Sequence, residues 1–128
     1  MKKEILIVEG SKAMRFLLHT IFKKHYKVVS VPDGISAMYF LRQGNKPDLI
    51  VLDPELSDMP DWELVKHLSL SPLYNQIPLV VISSLDENQL RVNAMKHSVA
   101  EYFTKPFNPL KLVESVDLLL LGSNMHKI

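Results

Sequence analysis

The sequence contains no cysteine, which excludes disulfides, thiolate metal sites and a cysteine nucleophile. No apolar run approaches the roughly 18 residues that a membrane-crossing helix requires, so no membrane partner is expected. Two lysines stand among residues 1–4, but the apolar stretch that follows is far too short for the core of a signal peptide. A soluble, cytoplasmic protein is expected. Charge of one sign is also missing, since 15 basic residues face 14 acidic ones. A nucleic-acid surface normally shows as a clustered basic excess, so no nucleic-acid partner is expected. The histidines, at 19, 25, 67, 97 and 126, have no metal-ligand spacing, which argues against zinc. There are no repeats, low-complexity tracts or Gly/Ser linkers.

What is present is a chain of 128 residues, 47% of them apolar, enough for one domain with one core. A single domain over 1–128 is expected, with an ordered core from about residue 3 to 121 and a short tail at 122–128. Short apolar runs alternate with amphipathic stretches. Ile5-Leu6-Ile7-Val8 is a buried strand. Ser11 can cap a helix in which Met14, Leu17, Leu18 and Ile21 share one face. Tyr26 to Val31 is β-branched and stops at Pro32. Asp33 to Arg42 is helical, with Ala37, Met38 and Leu41 inward. Leu49 to Leu52 is a third strand, and Asp61 can cap a helix ending near Leu70. Leu79 to Ile82 is the fourth strand. The next helix, from about Asp86 to His97, rests on a weaker pattern of Val92, Ala94 and Met95. Tyr102-Phe103 marks a fifth strand, and Pro109 opens a last helix packed through Leu112, Val113, Val116, Leu119 and Leu120.

Five β-α units in strict alternation, with strands apolar on both faces, imply a parallel sheet covered by helices on both sides. Right-handed crossovers give a doubly wound α/β three-layer sandwich, flavodoxin-like, with strand order 2-1-3-4-5. Chemistry in such sheets sits at the carboxyl ends of the strands. There the sequence places Glu9-Gly10, Asp53, Ser83-Ser84 and Thr104-Lys105-Pro106. Each alone is a common turn or cap. Together they bring two acids, a hydroxyl and a lysine to one edge.

With these motifs the sequence resembles the receiver domain of bacterial response regulators over nearly its whole length. The resemblance rests on residues 3–9, 47–53 (Pro-Asp-Leu-Ile-Val-Leu-Asp), 77–83 (Ile-Pro-Leu-Val-Val-Ile-Ser) and 101–107 (Glu-Tyr-Phe-Thr-Lys-Pro-Phe), and on Asp33-Gly34 with Ala37. It implies that Asp53 attacks the phosphorus of a phosphohistidine and becomes an acyl phosphate. Charge neutralisation would come from magnesium and Lys105, and Ser83 would hydrogen-bond a phosphoryl oxygen. Tyr102 would be the switch aromatic. Pro106 is structural, its bond to Lys105 being typically cis in that family. The metal ligands would be Glu9, Asp53 and the backbone carbonyl of Glu55. Partners would be a histidine kinase or phosphotransfer protein upstream, and a target protein or output domain downstream.

Two departures stand out. The family ends strand 1 in two adjacent acids, the second commonly a magnesium ligand, whereas here Glu9 is followed by Gly10. Magnesium relies on one or two carboxylates plus waters, so a weak magnesium site is expected. Lys105 should then pair with Asp53, Glu9 or Glu55 at rest. In the next loop the family's proline is displaced to Pro60, and Asp61 stands where a glycine is usual, so residues 54–61 should follow their own path.

Three functions compete. The first is a phosphorylation-gated switch with no enzyme activity of its own towards a small molecule. The second, favoured by Gly10, is a phosphate-independent pseudo-receiver that binds proteins. A flavodoxin-type electron carrier needs a hydroxyl- and glycine-rich loop after strand 1, of which residues 9–14 are a poor version. Ile35 and Tyr39 on helix 2, and Leu110, Leu118 and Leu121 on helix 5, fall outside the packed stripes. The helix 5 cluster points to a partner surface, or to a homodimer through helix 4, strand 5 and helix 5. A stand-alone receiver and a piece of a longer regulator both remain open.

Overall fold

A computed structural model describes the backbone of residues 2–125 and the side chains of residues 2–121. The elements run β1 (Glu4–Val8), α1 (Lys12–Phe22), β2 (Lys27–Val31), α2 (Gly34–Arg42), β3 (Leu49–Leu52), α3 (Glu63–Leu70), β4 (Leu79–Ser83), α4 (Glu87–Lys96), β5 (Glu101–Thr104) and α5 (Pro109–Met125). All strand pairs are parallel, in the order β2-β1-β3-β4-β5. Alternate side chains of each strand enter opposite layers. Leu6, Val8, Ile50, Leu52 and Val81 pack under α2, α3 and α4. Ile5, Ile7, Leu49, Val51, Val80 and Ile82 pack under α1 and α5. Burying each such side chain stabilises the fold by about 1.5–3 kcal/mol.

The helices correct the sequence reading in several places. In α1, Leu17 is exposed and Phe22 takes its place in the core, because the buried stripe follows residues 18 and 22 at i, i+4. In α4, Val92 and Met95 face outward, while Leu90 and Ala94 are buried. That helix is mostly polar, so two apolar residues hold it to the sheet. Asp61 does not cap α3. Asp61 and Trp62 are both left-handed, with φ of 57° and 63°, and Trp62 occupies the cap position without a side-chain cap bond. Tyr26 lies before β2 rather than in it, buried against the α1/α5 layer. α5 continues to Met125, past the expected core limit at Leu121. Residues 126–128 of the expected tail lie outside the described residues.

Trp62 belongs to the core on the α2, α3 and α4 side of the sheet. Its ring lies 5.9 Å from that of His97 at the end of α4, and its buried indole N–H has no acceptor among the described residues. Burial, with Lys66 and Lys96 nearby, holds the His97 imidazolium below its ordinary range.

Tyr26 donates its hydroxyl to the Asp117 carboxylate of α5. Burial first, then that bond and the Asp117 charge, push the phenol well above its ordinary value. A raised acid of this kind contributes stability that is complete below the unfolded pKa, about 10. The contribution is lost as pH rises through the folded value. The urea midpoint should therefore hold steady from neutrality to about pH 10 as far as Tyr26 is concerned. It should fall above that, and Tyr26→Phe should flatten the fall while costing about 1.5 kcal/mol at pH 7. Parallel alkaline falls in both proteins would dismiss the assignment.

Candidate functional site

β1 and β3 are the central neighbours, and both end in carboxylates. The Asp53 N–H donates to the Val8 carbonyl at 3.0 Å, and the Glu9 N–H to Val31 at 3.1 Å, so the ladder itself sets both acids at one edge. β5 delivers the cation. The Lys105 N–H donates to the Ser83 carbonyl at 2.8 Å, placing the end of β5 alongside the end of β4. Lys105 Nζ then donates to Asp53 Oδ2 at 2.7 Å and to Glu9 Oε1 at 2.8 Å. The bond from Lys105 to Pro106 is cis.

This ion triad is partly dry. Glu9 is 2% exposed, a burial that a carboxylate tolerates only when paired and hydrogen-bonded. Both its oxygens are engaged, since Oε2 accepts from the Ser11 N–H at 2.9 Å. Burial opposes the charge on Lys105, but the hydrogen bonds and charges of Asp53 and Glu9 outweigh it and raise the lysine above its ordinary value. The ammonium is therefore present throughout the neutral range. The remaining Asp53 oxygen, Oδ1, accepts from the Glu55 N–H at 2.8 Å.

Ser83 is fully buried. Its oxygen accepts from the Leu85 N–H at 3.1 Å, which leaves the hydroxyl proton available to a second acceptor. Tyr102 is half-buried, with its hydroxyl on Glu87 Oε1 at 3.2 Å. That is longer than the usual 2.5–3.0 Å for such a bond, so the hold is weak. The Glu55 side chain is exposed and makes no ion pair among the described residues.

The edge brings together two carboxylates that share the Lys105 ammonium, and one or two carboxylates plus waters is what magnesium relies on. No cluster of three or more acidic or histidine side chains placed for a metal occurs among the described residues.

Three participants were not legible as such in the sequence. Arg15 donates Nη1 to the Glu9 carbonyl at 2.7 Å, fastening the turn between β1 and α1. Ser11 was visible as a helix cap, a role it keeps towards Met14, but not as the amide partner of Glu9. Glu87 was hidden because its partner lies on another element.

A family profile described as the response regulator receiver domain matches residues 5–117. The chain belongs to that family. Among curated relatives of this receiver, the transcriptional regulatory protein KdpE of Staphylococcus aureus is 33% identical over 108 residues, covering 84% of this chain and 46% of KdpE. The chain thus spans about half the length of that relative. The solved receiver domain of a signal transduction histidine kinase from Syntrophus aciditrophicus superposes with a TM-score of 0.84 at 30% identity, covering 94% of this chain and 91% of that one. The receiver domain of a sensor histidine kinase from Pseudomonas aeruginosa, solved with magnesium coordinated in its active-site cleft, gives a TM-score of 0.82 at 20% identity. It covers 94% of this receiver and 98% of its own chain. Receiver domains are signalling modules. No helix among the described residues is long and apolar enough to cross a membrane.

Proposed function

We propose that Asp53 is the phosphoacceptor of this receiver, served by a phosphohistidine on a histidine kinase or phosphotransfer protein. The observation that carries the reading is the Lys105 ammonium held between Asp53 and Glu9 at the carboxyl edge of the sheet. A carboxylate oxygen of Asp53 forms the new P–O bond, the P–N bond to the donor imidazole breaks, and the imidazole leaves with the bonding pair. The residues here do little proton chemistry. Lys105, fixed by its two partners, faces the charge that develops on the phosphoryl oxygens, and such preorganised cations lower the barrier. The Ser83 hydroxyl then donates to a phosphoryl oxygen. Bound magnesium would add Lewis-acid neutralisation of those oxygens, and Glu9, Asp53 and the Glu55 carbonyl would hold it, weakly because Gly10 supplies no carboxylate.

The weak hold of Glu87 suits Tyr102 as a switch residue, since a phosphorylated site that draws the Ser83 hydroxyl leaves space for the ring to turn inward. The surface that changes is α4-β5-α5, which serves a downstream target, an output domain or a second copy of the chain in the cytoplasm. Intact-mass measurement after treatment with a small phosphodonor tests the acceptor reading directly. A chain that gains no mass is a pseudo-receiver.

The output surface has its own test. Leu110 and Leu118 are 79% and 64% exposed on α5. Replacing both by serine should change stability by no more than about 0.5 kcal/mol per site, while weakening self-association or target binding. Unchanged sedimentation together with unchanged binding would remove the surface from consideration.

A further inference from the structure

The loop over residues 54–62 is fastened at two points. Near its start the Glu55 N–H sits on Asp53 Oδ1. Further on, Asp58 reaches out of the loop with both carboxylate oxygens. Oδ1 accepts from the Gly34 N–H at 3.0 Å and Oδ2 from the Ile35 N–H at 2.8 Å. These are amides of the first turn of α2, which have no partners within the helix. Asp33 caps the same turn on Ser36 at 2.8 Å, so Asp58 adds a second cap from a different element. Met59 completes the contact. A Cβ on Gly34 would lie 2.3 Å from Met59 Sδ and 2.8 Å from Cγ, so the missing side chain is what lets the loop close on the helix. Between the two fastenings Leu56 is buried in the core, and the four residues from 55 to 58 have little slack to absorb a displacement.

We propose that this clip couples the state of Asp53 to α2, which makes the face carrying Ile35 and Tyr39 a second state-dependent surface. Those side chains are 66% and 69% exposed. Phosphorylating one Asp53 oxygen makes an acyl phosphate and turns the other oxygen into an uncharged carbonyl. The Glu55 N–H then loses a charge-assisted acceptor, and the loop relaxes against its other fastening, the first turn of α2. The phosphoryl trigger rests on Asp53 being the acceptor, but the mechanical link does not.

Amide spectra of wild type, Asp53→Ala, Asp58→Ala and the double variant decide the matter. Asp53→Ala removes the Glu55 acceptor without any phosphoryl chemistry. It should shift the Gly34 and Ile35 amides as well as that of Glu55. In the Asp58→Ala background the Glu55 shift should persist and the α2 shift should be lost. Asp58→Asn, which keeps one acceptor oxygen, should retain part of it and serves if the alanine variant loses its α2 signals. Gly34 and Ile35 amides that stay still when Glu55 moves would overturn the coupling. So would equal α2 shifts with and without the Asp58 carboxylate. Mass measurement of the phosphodonor-treated wild type is read separately. A chain that gains no phosphoryl mass removes the trigger, while the alanine arms still decide the clip.

Discussion

Asp53→Asn should gain no phosphoryl mass under conditions in which the wild-type chain gains one. The substitution is nearly isosteric, and an amide oxygen can still accept the Glu55 N–H that now sits on Oδ1 at 2.8 Å. Lys105 keeps its second partner, Glu9, so the site should stay folded with one anion fewer. What disappears is the nucleophile, because a neutral carboxamide is a poor one compared with a carboxylate. The effect should be a complete loss rather than a slower rate. Neighbouring acids are unsuited to substitute. The Glu9 side chain is only 3% exposed against 13% for Asp53, while the Glu55 side chain is exposed and makes no ion pair with Lys105. Full labelling of the Asn variant in an intact-mass experiment would show that another residue is the acceptor.

The second large effect is expected from Gly10→Asp, which should tighten magnesium binding at least about tenfold, equivalent to about 1.4 kcal/mol. Unit charges 4 Å apart interact with about 4 kcal/mol at an effective dielectric of 20, so a new carboxylate facing a dication has at least that much to set against its desolvation cost. The backbone permits the change. A Cβ at Gly10 would meet only the Pro32 carbonyl at 3.7 Å, an ordinary contact, and Gly10 is absent from the left-handed positions, of which Gly44 is the glycine example. A third acid also offers Lys105 a new partner. The ion no longer has to win both Glu9 and Asp53 from the ammonium, and phosphorylation of Asp53 should speed up in step. Amide shifts of Glu9 and Asp53 during a magnesium titration measure the affinity in each protein. Equal affinity in two folded proteins would mean that the existing ligands already suffice.

The sheet was legible because its strands are short, apolar on both faces and separated by amphipathic stretches, a pattern that admits few topologies. Asp53, Ser83 and Lys105 were legible because strand ends in such a sheet converge whatever the helices do. The resemblance to receiver domains then supplied roles that spacing alone left open. Other parts depend on contacts that no local pattern encodes. The partners Glu9 and Lys105 are 96 residues apart, and which of three acids the lysine would choose was open. Asp61 looked like a cap because aspartate often is one, yet the chain turns left-handed there, where a cap needs extended backbone. The inward face of α4 is legible only at Ala94, because a polar helix carries little periodicity, and Leu90 is buried in place of Val92 and Met95. Asp58 lies 24 and 23 residues from the two amides that it caps, and a surface aspartate in a loop gives no sign of such an errand.

The contact between Trp62 and His97 has an optical consequence. The sequence contains one tryptophan, and its ring lies at the start of α3 against the last turn of α4. All indole emission from the protein therefore originates at the junction of two helices on one side of the sheet. With His97 held uncharged at neutral pH, the resting indole is spared the quenching that a protonated imidazole imposes. A displacement of α4 changes the distance, polarity and ring overlap that set its wavelength and lifetime. The chain carries, unlabelled, a single chromophore that reads the position of α4 as colour and brightness.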